Sequence, residues 1–300
     1  MIQKEALKGI LPAAVTPFDN DEQFASAPFE ALLESLYTAG VDGVYVCGGT
    51  GEGLLQTVEQ RKRVAEVAVA NSPKGKLVMV HVGSHRTADA VELARHAGEI
   101  GASAISALPP VGNYSFAEVR AYYSAIAAAS DVPLLVYFFP NSYPGVHTLD
   151  QVLDLRRIPN VVGLKYTDFD LYRMRTIQQS GAVVFSGYDE VLVAGLLMGA
   201  DGGIGTFYNV MPHLFVHLYD CTRLGDWEGA RAIQDKINTV IRIALQFPCF
   251  PAIKEMLRWR GIECGPCIRP RGGLSLLQAA ELRRQLEGCG VAWEPAVSRA

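Results

Sequence analysis

The stretch VVGLKYTDFD, Val161–Asp170, decides how the rest of the chain is read. Its first half has the composition of a buried strand: Val161, Val162 and Leu164 are apolar, with Gly163 between them. Lys165 then stands where another valine or isoleucine would fit. Burying an ammonium ion costs several kcal/mol, as a rough estimate, unless it is paired or gives up its proton. A fold that places a buried strand end at a reactive opening gives such a lysine a use.

Seven further apolar runs flank this one. They begin at Gly9 (GILPAAVTPF), Val41 (VDGVYVCGG), Lys76 (KLVMVHVG), Ala102 (ASAISALPP), Pro133 (PLLVYFFP), Ala182 (AVVFSGYD) and Asp201 (DGGIGTF). Helix-start chemistry separates them. Thr57–Gln60, Ser115–Glu118 and Thr148–Gln151 fit the capping box, and Pro28 suits a first helical turn after Ser26. Continuous rather than alternating apolar strands indicate a parallel sheet covered by helices. Eight strand–helix units in series predict an α/β fold, a closed (β/α)8 TIM barrel, over residues 1–225. From about Asn209 only helical patterns follow, so residues 226–300 read as a C-terminal helical extension.

Of the 300 residues 49% are hydrophobic and 19% charged, which suits a sizeable core, and a net charge of −4 argues against nucleic acid or an anionic membrane as the main partner. No apolar run reaches membrane-span length, and MIQKEALKGI lacks a signal-peptide profile, so a cytoplasmic protein is expected. Reduced thiols are then the default for the six cysteines. Cys264-Gly-Pro-Cys267 matches redox spacing but reads more simply as a turn near a helix end. His81, His85 and His147 lack metal-ligand spacing with a carboxylate and are taken as ordinary polar residues.

Barrel chemistry sits where strands end. The polar groups there are Thr50 and Glu52, Tyr137, Lys165 and Thr167, Gly187-Tyr188-Asp189-Glu190, and Gly205-Thr206. A lysine inside an apolar barrel mouth loses solvation of its charged form, which frees a nucleophilic amine for Schiff-base chemistry. The same pattern also suits a lysine that snorkels to solvent or pairs with a carboxylate. Gly48-Gly49-Thr50-Gly51 can turn its amides towards an anion or form an ordinary loop. Tyr137 can equally be a core aromatic.

Taken together, VTPF (Val15–Phe18), GGTGEG (Gly48–Gly53), Tyr137 in VYFFP, Lys165 in GLKYT, GYDE (Gly187–Glu190) and GADGGIGTFYN (Gly199–Asn209) are similar to one family. The chain resembles the pyruvate-dependent class I aldolases that include N-acetylneuraminate lyase and dihydrodipicolinate synthase, and it lies closer to the lyase branch. The likeness spans about Gly9 to about Gly273. It implies that Lys165 forms a Schiff base with a 2-keto acid and that Gly49 and Thr50 seat the substrate carboxylate. Tyr137 would shuttle the proton. Thr167, Gly187, Asp189, Glu190 and Thr206 would meet a polyhydroxylated chain, since carboxylates accept hydrogen bonds from vicinal hydroxyls. Glu190 also suits a helix N-terminus. The iminium is the electron sink, so no metal or organic cofactor is expected. The implied partners are pyruvate and a sugar-derived aldehyde or 2-keto acid, in a homotetramer.

The chain departs from the family pattern in three places. Ser142 stands where the synthase branch has an arginine after the catalytic tyrosine. Gly49 replaces the usual serine or threonine before Thr50. Val111 and Gly112 occupy positions where many members carry a tyrosine that reaches the neighbouring subunit, and Tyr114 lies at a different spacing. The leading expectation is cleavage of a 2-keto-3-deoxy sugar acid resembling N-acetylneuraminate. A dihydrodipicolinate-synthase-like enzyme, or an aldolase or dehydratase for a shorter keto acid, is the alternative. A keto-acid-binding barrel without turnover is the alternative of another class.

Overall fold

Eight short parallel strands close on themselves. In a computed structural model, which describes residues 4–290, they are β1 (Gly9–Pro12), β2 (Gly43–Val46), β3 (Leu77–His81), β4 (Ala104–Ala107), β5 (Leu134–Phe138), β6 (Val161–Tyr166), β7 (Val183–Ser186) and β8 (Gly202–Gly205). Each falls inside one of the eight apolar runs. β2 to β8 pair in chain order, and β1 pairs with β8. An Ala13–Tyr45 bridge completes the circle: Ala14 N–H donates to the Tyr45 carbonyl at 2.8 Å, and Asp42 N–H to the Ile10 carbonyl at 3.0 Å. The expected (β/α)8 barrel is the observed fold.

Although the strands are apolar on both faces, the two faces fill different spaces. Leu11, Ala13, Tyr45, Leu77, Met79, Ala104, Leu135, Phe185 and Ile204 pack inside the barrel. The alternate residues, such as Val44, Val78, Ile105, Val136, Leu164 and Val184, face the helices in a separate, larger core. In register, Lys165 stands opposite Tyr137 on one side and Phe185 on the other. Its side chain therefore belongs to the interior set. Gly163 lets β6 and β7 approach closely, since a Cβ there would lie 2.0 Å from the Val183 carbonyl oxygen.

Helices α1 (Ser26–Thr38), α2 (Val58–Ala70), α3 (Thr87–Glu99), α4 (Phe116–Ala128), α5 (Leu149–Leu155), α6 (Leu171–Gln179), α7 (Leu192–Leu197) and α8 (Pro212–Arg223) alternate with the strands. All three expected capping boxes form: Thr57, Ser115 and Thr148 accept from the third residue's backbone at the starts of α2, α4 and α5. Each such cap contributes about 1 kcal/mol relative to alanine. Three more helices follow, α9 (Trp227–Ala244), α10 (Cys249–Trp259) and α11 (Leu276–Glu287). Their apolar faces, among them Ile237, Ile241, Ile253, Met256 and Leu282, join the outer core.

Candidate active site

At the C-terminal ends of the strands, Lys165 is 4% exposed. Its Nζ lies between two aromatic rings, 4.2 Å from the Tyr137 centroid and 4.7 Å from that of Tyr45. Those ring faces favour a cation, yet burial dominates and pushes the amine down to about 7, with Asp189 opposing the shift. At neutral pH roughly half the amine is then free, against about one part in a few thousand for an ordinary lysine. Burial likewise holds the Tyr137 hydroxyl well above its ordinary value, with the neighbouring Thr167 hydroxyl acting in the other direction. A tyrosine ring and an amine that readily gives up its proton thus meet in a buried site.

The glycine-rich loop after β2 begins beside this pair, since a Cβ on Gly48 would lie 2.4 Å from the Tyr45 ring. Glu52 N–H donates to the Gly49 carbonyl at 3.1 Å and Gly53 N–H to that of Gly48 at 3.0 Å. Gln56 holds the Gly51 carbonyl at 2.6 Å through Nε2. Among the described residues no acceptor takes the Gly49 or Thr50 amide, so both remain available to an anion. The Thr50 and Thr206 hydroxyls share a 2.8 Å hydrogen bond, which joins the ends of β2 and β8. Asn209 secures the neighbouring closure: its Nδ2 donates to the Ala13 carbonyl at 2.7 Å and its Oδ1 accepts from Val15 N–H.

Thr167 and Gly187 are adjacent, because a Cβ on Gly187 would fall 2.0 Å from the Thr167 hydroxyl oxygen. That oxygen is buried and has no hydrogen-bond partner of good geometry. Asp189 is buried with one carboxylate oxygen already engaged, Oδ2 accepting from Phe207 N–H at 2.7 Å. Burial pushes its carboxyl up to about 7, with the Phe207 amide opposing. Glu190 lies beside it, half-buried, in a single helical turn, Asp189–Val191, before α7. The backbone carbonyl of Glu190 accepts from Asn238 on α9 at 3.0 Å.

Two interior groups escaped the sequence reading. Tyr45 lies beneath the lysine, and His81 stands edge-on to Tyr137 at 6.2 Å. Leu108 N–H donates to His81 Nε2 at 3.1 Å, and burial keeps the ring well below its ordinary pKa, hence neutral. For His81 the signal was strand parity, since it sits two residues from the interior Met79. An aromatic rim was also missed. Phe139 stacks on Tyr137 at 6.1 Å and meets Tyr188 edge-on at 6.0 Å, and Phe169, 56% exposed, stacks on Tyr188 at 4.3 Å.

The remaining sequence features resolve simply. Cys264 and Cys267 are buried free thiols that burial raises to about 12 and about 11, and they lie in an irregular segment after α10 rather than in the expected turn. Tyr114 folds over Gly112, where a Cβ would meet its ring at 2.6 Å, and both Tyr114 and Val111 are exposed. Ser142 is exposed.

Three known proteins are similar to this chain over nearly its whole length. The N-acetylneuraminate lyase of Rhizobium meliloti (strain 1021) is 39% identical over 298 residues, 98% of each chain. A Ruminococcus gnavus sialic acid aldolase structure superposes with a TM-score of 0.90 at 29% identity, covering 95% of this chain and 97% of that one. CdNal from Clostridium difficile, solved in complex with mannosamine, gives 0.90 at 26% identity, covering 94% and 99%. The model of the dihydrodipicolinate synthetase family matches residues 6–288, which carry every residue of the site. With the lysine, the tyrosine and the glycine-rich loop all in place, the chain belongs to the dihydrodipicolinate synthetase family.

Proposed function

We propose that the protein is a Schiff-base (class I) aldolase that cleaves a 2-keto-3-deoxy sugar acid resembling N-acetylneuraminate into pyruvate and an aldehyde. It is a carbon–carbon lyase. One observation carries the reading: the buried Lys165 amine lies 4.2 Å from the ring of Tyr137 on the adjacent strand, and the loop after β2 leaves two amides unpaired. The named relatives support the same chemistry.

In the cleavage direction the Lys165 amine adds to the C2 carbonyl, and loss of water leaves an iminium. The substrate carboxylate rests on the Gly49 and Thr50 amides and the Thr50 hydroxyl. Once the nitrogen carries a fixed positive charge beside the Tyr137 ring, the tyrosine gives its proton to the hydroxide expelled from C2, which leaves as water, and Tyr137 stands as the oxyanion. Tyr137 takes the C4 hydroxyl proton as the C3–C4 bond breaks. That electron pair moves into the iminium as an enamine, and the aldehyde departs. Tyr137 returns the proton to C3, and water hydrolyses the iminium to release pyruvate and the free amine. The iminium supplies the electron sink, so the reading requires neither metal nor organic cofactor.

Thr167, Gly187, Glu190 and Thr206 line the path of the departing aldehyde, and Asp189 holds that wall in place through Phe207. A shorter 2-keto-3-deoxy acid is the second reading. It is favoured by the aromatic rim of Phe139, Tyr188 and Phe169 and by the engagement of Asp189 with the backbone. Pyruvate release from N-acetylneuraminate and from six-carbon 2-keto-3-deoxy acids separates the two. The leading reading expects the nine-carbon acid to have at least a tenfold higher kcat/KM. The reverse order makes the short acid the substrate.

Gly49 offers a further test. Space is open there, since a Cβ meets nothing within 4 Å, and its backbone lies outside the left-handed region. Gly49→Ser should supply the missing hydroxyl to the carboxylate. A hydrogen bond to a charged group contributes about 1.5 kcal/mol, so the half-saturating pyruvate concentration in the condensation direction should fall roughly tenfold. A value unchanged or raised in steady-state kinetics would count against a carboxylate at this loop.

We place the enzyme in the cytoplasm, without nucleic-acid or membrane partners; among the described residues no helix is long and apolar enough to cross a membrane. We also propose a homotetramer, to which the exposed Phe169, Tyr172 and Leu197 offer apolar surface. We further propose that residues 226–300 extend the barrel of residues 1–225, with 1–3 and 291–300 outside the described residues.

A further inference from the structure

We propose that Glu52 is a positioning residue for the anion-binding loop, tying Gly49 and Thr50 to the C-terminal extension through a buried carboxylate. The proposal rests on the reading of that loop as the carboxylate seat. Glu52 is 1% exposed, a burial that an ionised carboxylate seldom meets without partners. Its Oε1 lies 3.0 Å from Lys254 Nζ on α10. Its Oε2 lies 3.3 Å from Arg271 Nη1 and accepts Ile268 N–H at 3.0 Å. All three partners come from residues 254–271, some two hundred positions along the chain.

Those partners are themselves fixed. Lys254 Nζ donates to the Pro266 carbonyl at 2.6 Å and lies 4.6 Å from the Phe18 ring centroid. Phe18 N–H donates to the Cys264 carbonyl at 3.0 Å, and Arg271 stacks over Phe250 at 4.4 Å. The segment that matches redox spacing is thus part of the wall against which Glu52 is anchored.

The backbone of Glu52 shows why the anchor matters for the site. Its φ of 56° lies in the left-handed region, where a residue with a side chain is disfavoured and persists only if its surroundings hold it. That turn directs its N–H to the Gly49 carbonyl and places Thr50 against Thr206. Gly48, Gly49, Gly51 and Gly53 leave the loop many other conformations once the anchor is gone. The carboxylate holds the loop while the two amides stay unpaired.

The test measures borohydride trapping at Lys165 with pyruvate and with hydroxyacetone, which carries a carbonyl but no carboxylate. Glu52→Gln and Lys254→Met should lower the second-order trapping rate with pyruvate tenfold or more and leave that with hydroxyacetone within twofold. In turnover they should raise KM for pyruvate far more than they change kcat. Arg271→Ala, at a partly exposed position, should give the same selective loss to a smaller degree, and it stands in if the buried variants do not fold. Equal loss with both ketones, or no loss with either, overturns the proposal. Thr50→Ala is measured in parallel. If it weakens pyruvate selectively while the Glu52, Lys254 and Arg271 variants do not, the anchor alone is wrong. If it leaves pyruvate untouched, the carboxylate seat is wrong and the anchor falls with it.

Discussion

Lys165→Met is expected to abolish carbon–carbon cleavage, by at least four orders of magnitude, and to make the unliganded protein more stable at neutral pH. The first effect follows because, among the described residues, no other amine is placed beside Tyr137 to form an iminium. The second follows from linkage. Burial lowers the amine from 10.5 to about 7, so the unfolded chain holds that proton across a range in which the folded protein has released it. The resulting penalty is fully present below about pH 7 and disappears as pH rises through 10.5. At 1.36 kcal/mol per pKa unit it is on the order of 5 kcal/mol. Methionine fills similar space without a charge, so urea unfolding should show the variant ahead of the parent at pH 6, with the gap closing by pH 10. A variant less stable at pH 6, or a gap independent of pH, would contradict the burial account. Activity of the parent should rise with pH through about 7 as the amine loses its proton.

Tyr137→Phe is expected to lower kcat by roughly 10²- to 10⁴-fold, the range typical of a positioned proton donor and acceptor. The ring that packs against His81 and Phe139 and lies 4.2 Å from the amine is retained, so the site keeps its shape and loses only the hydroxyl. Iminium formation should persist, which separates the proton-transfer role from a packing role. The measurement is single-turnover cleavage beside adduct formation on the same sample. Cleavage within threefold of the parent would remove Tyr137 from the proton path, and loss of the adduct would show that the ring had been structural.

Much of this arrangement was legible in the chain because it depends on local pattern. Eight apolar runs with helix starts between several of them leave few topologies open, and Lys165 announced itself as a charge where the strand requires an apolar residue. The capping boxes at Thr57, Ser115 and Thr148 lie within four residues and formed as expected. What escaped depends on contacts between distant segments. Tyr45 and His81 looked like ordinary strand residues until barrel closure placed both beside Tyr137. The Thr50–Thr206 hydrogen bond spans 156 positions. Asp189 read as a sugar ligand, but its carboxylate also holds the Phe207 amide, a bond that exists only once β7 and β8 lie side by side. Glu52 stood in a familiar motif with no sign of the lysine and arginine that meet it in the fold.

The most direct test of the central claim is borohydride reduction in the presence of pyruvate, read by intact mass and peptide mapping. The account predicts one reduced pyruvate adduct per chain, on the peptide that carries Lys165, and none in Lys165→Met. Folded protein that gains no adduct at saturating pyruvate, or gains one on a different lysine, would contradict it and leave a barrel that binds a keto acid without turning it over.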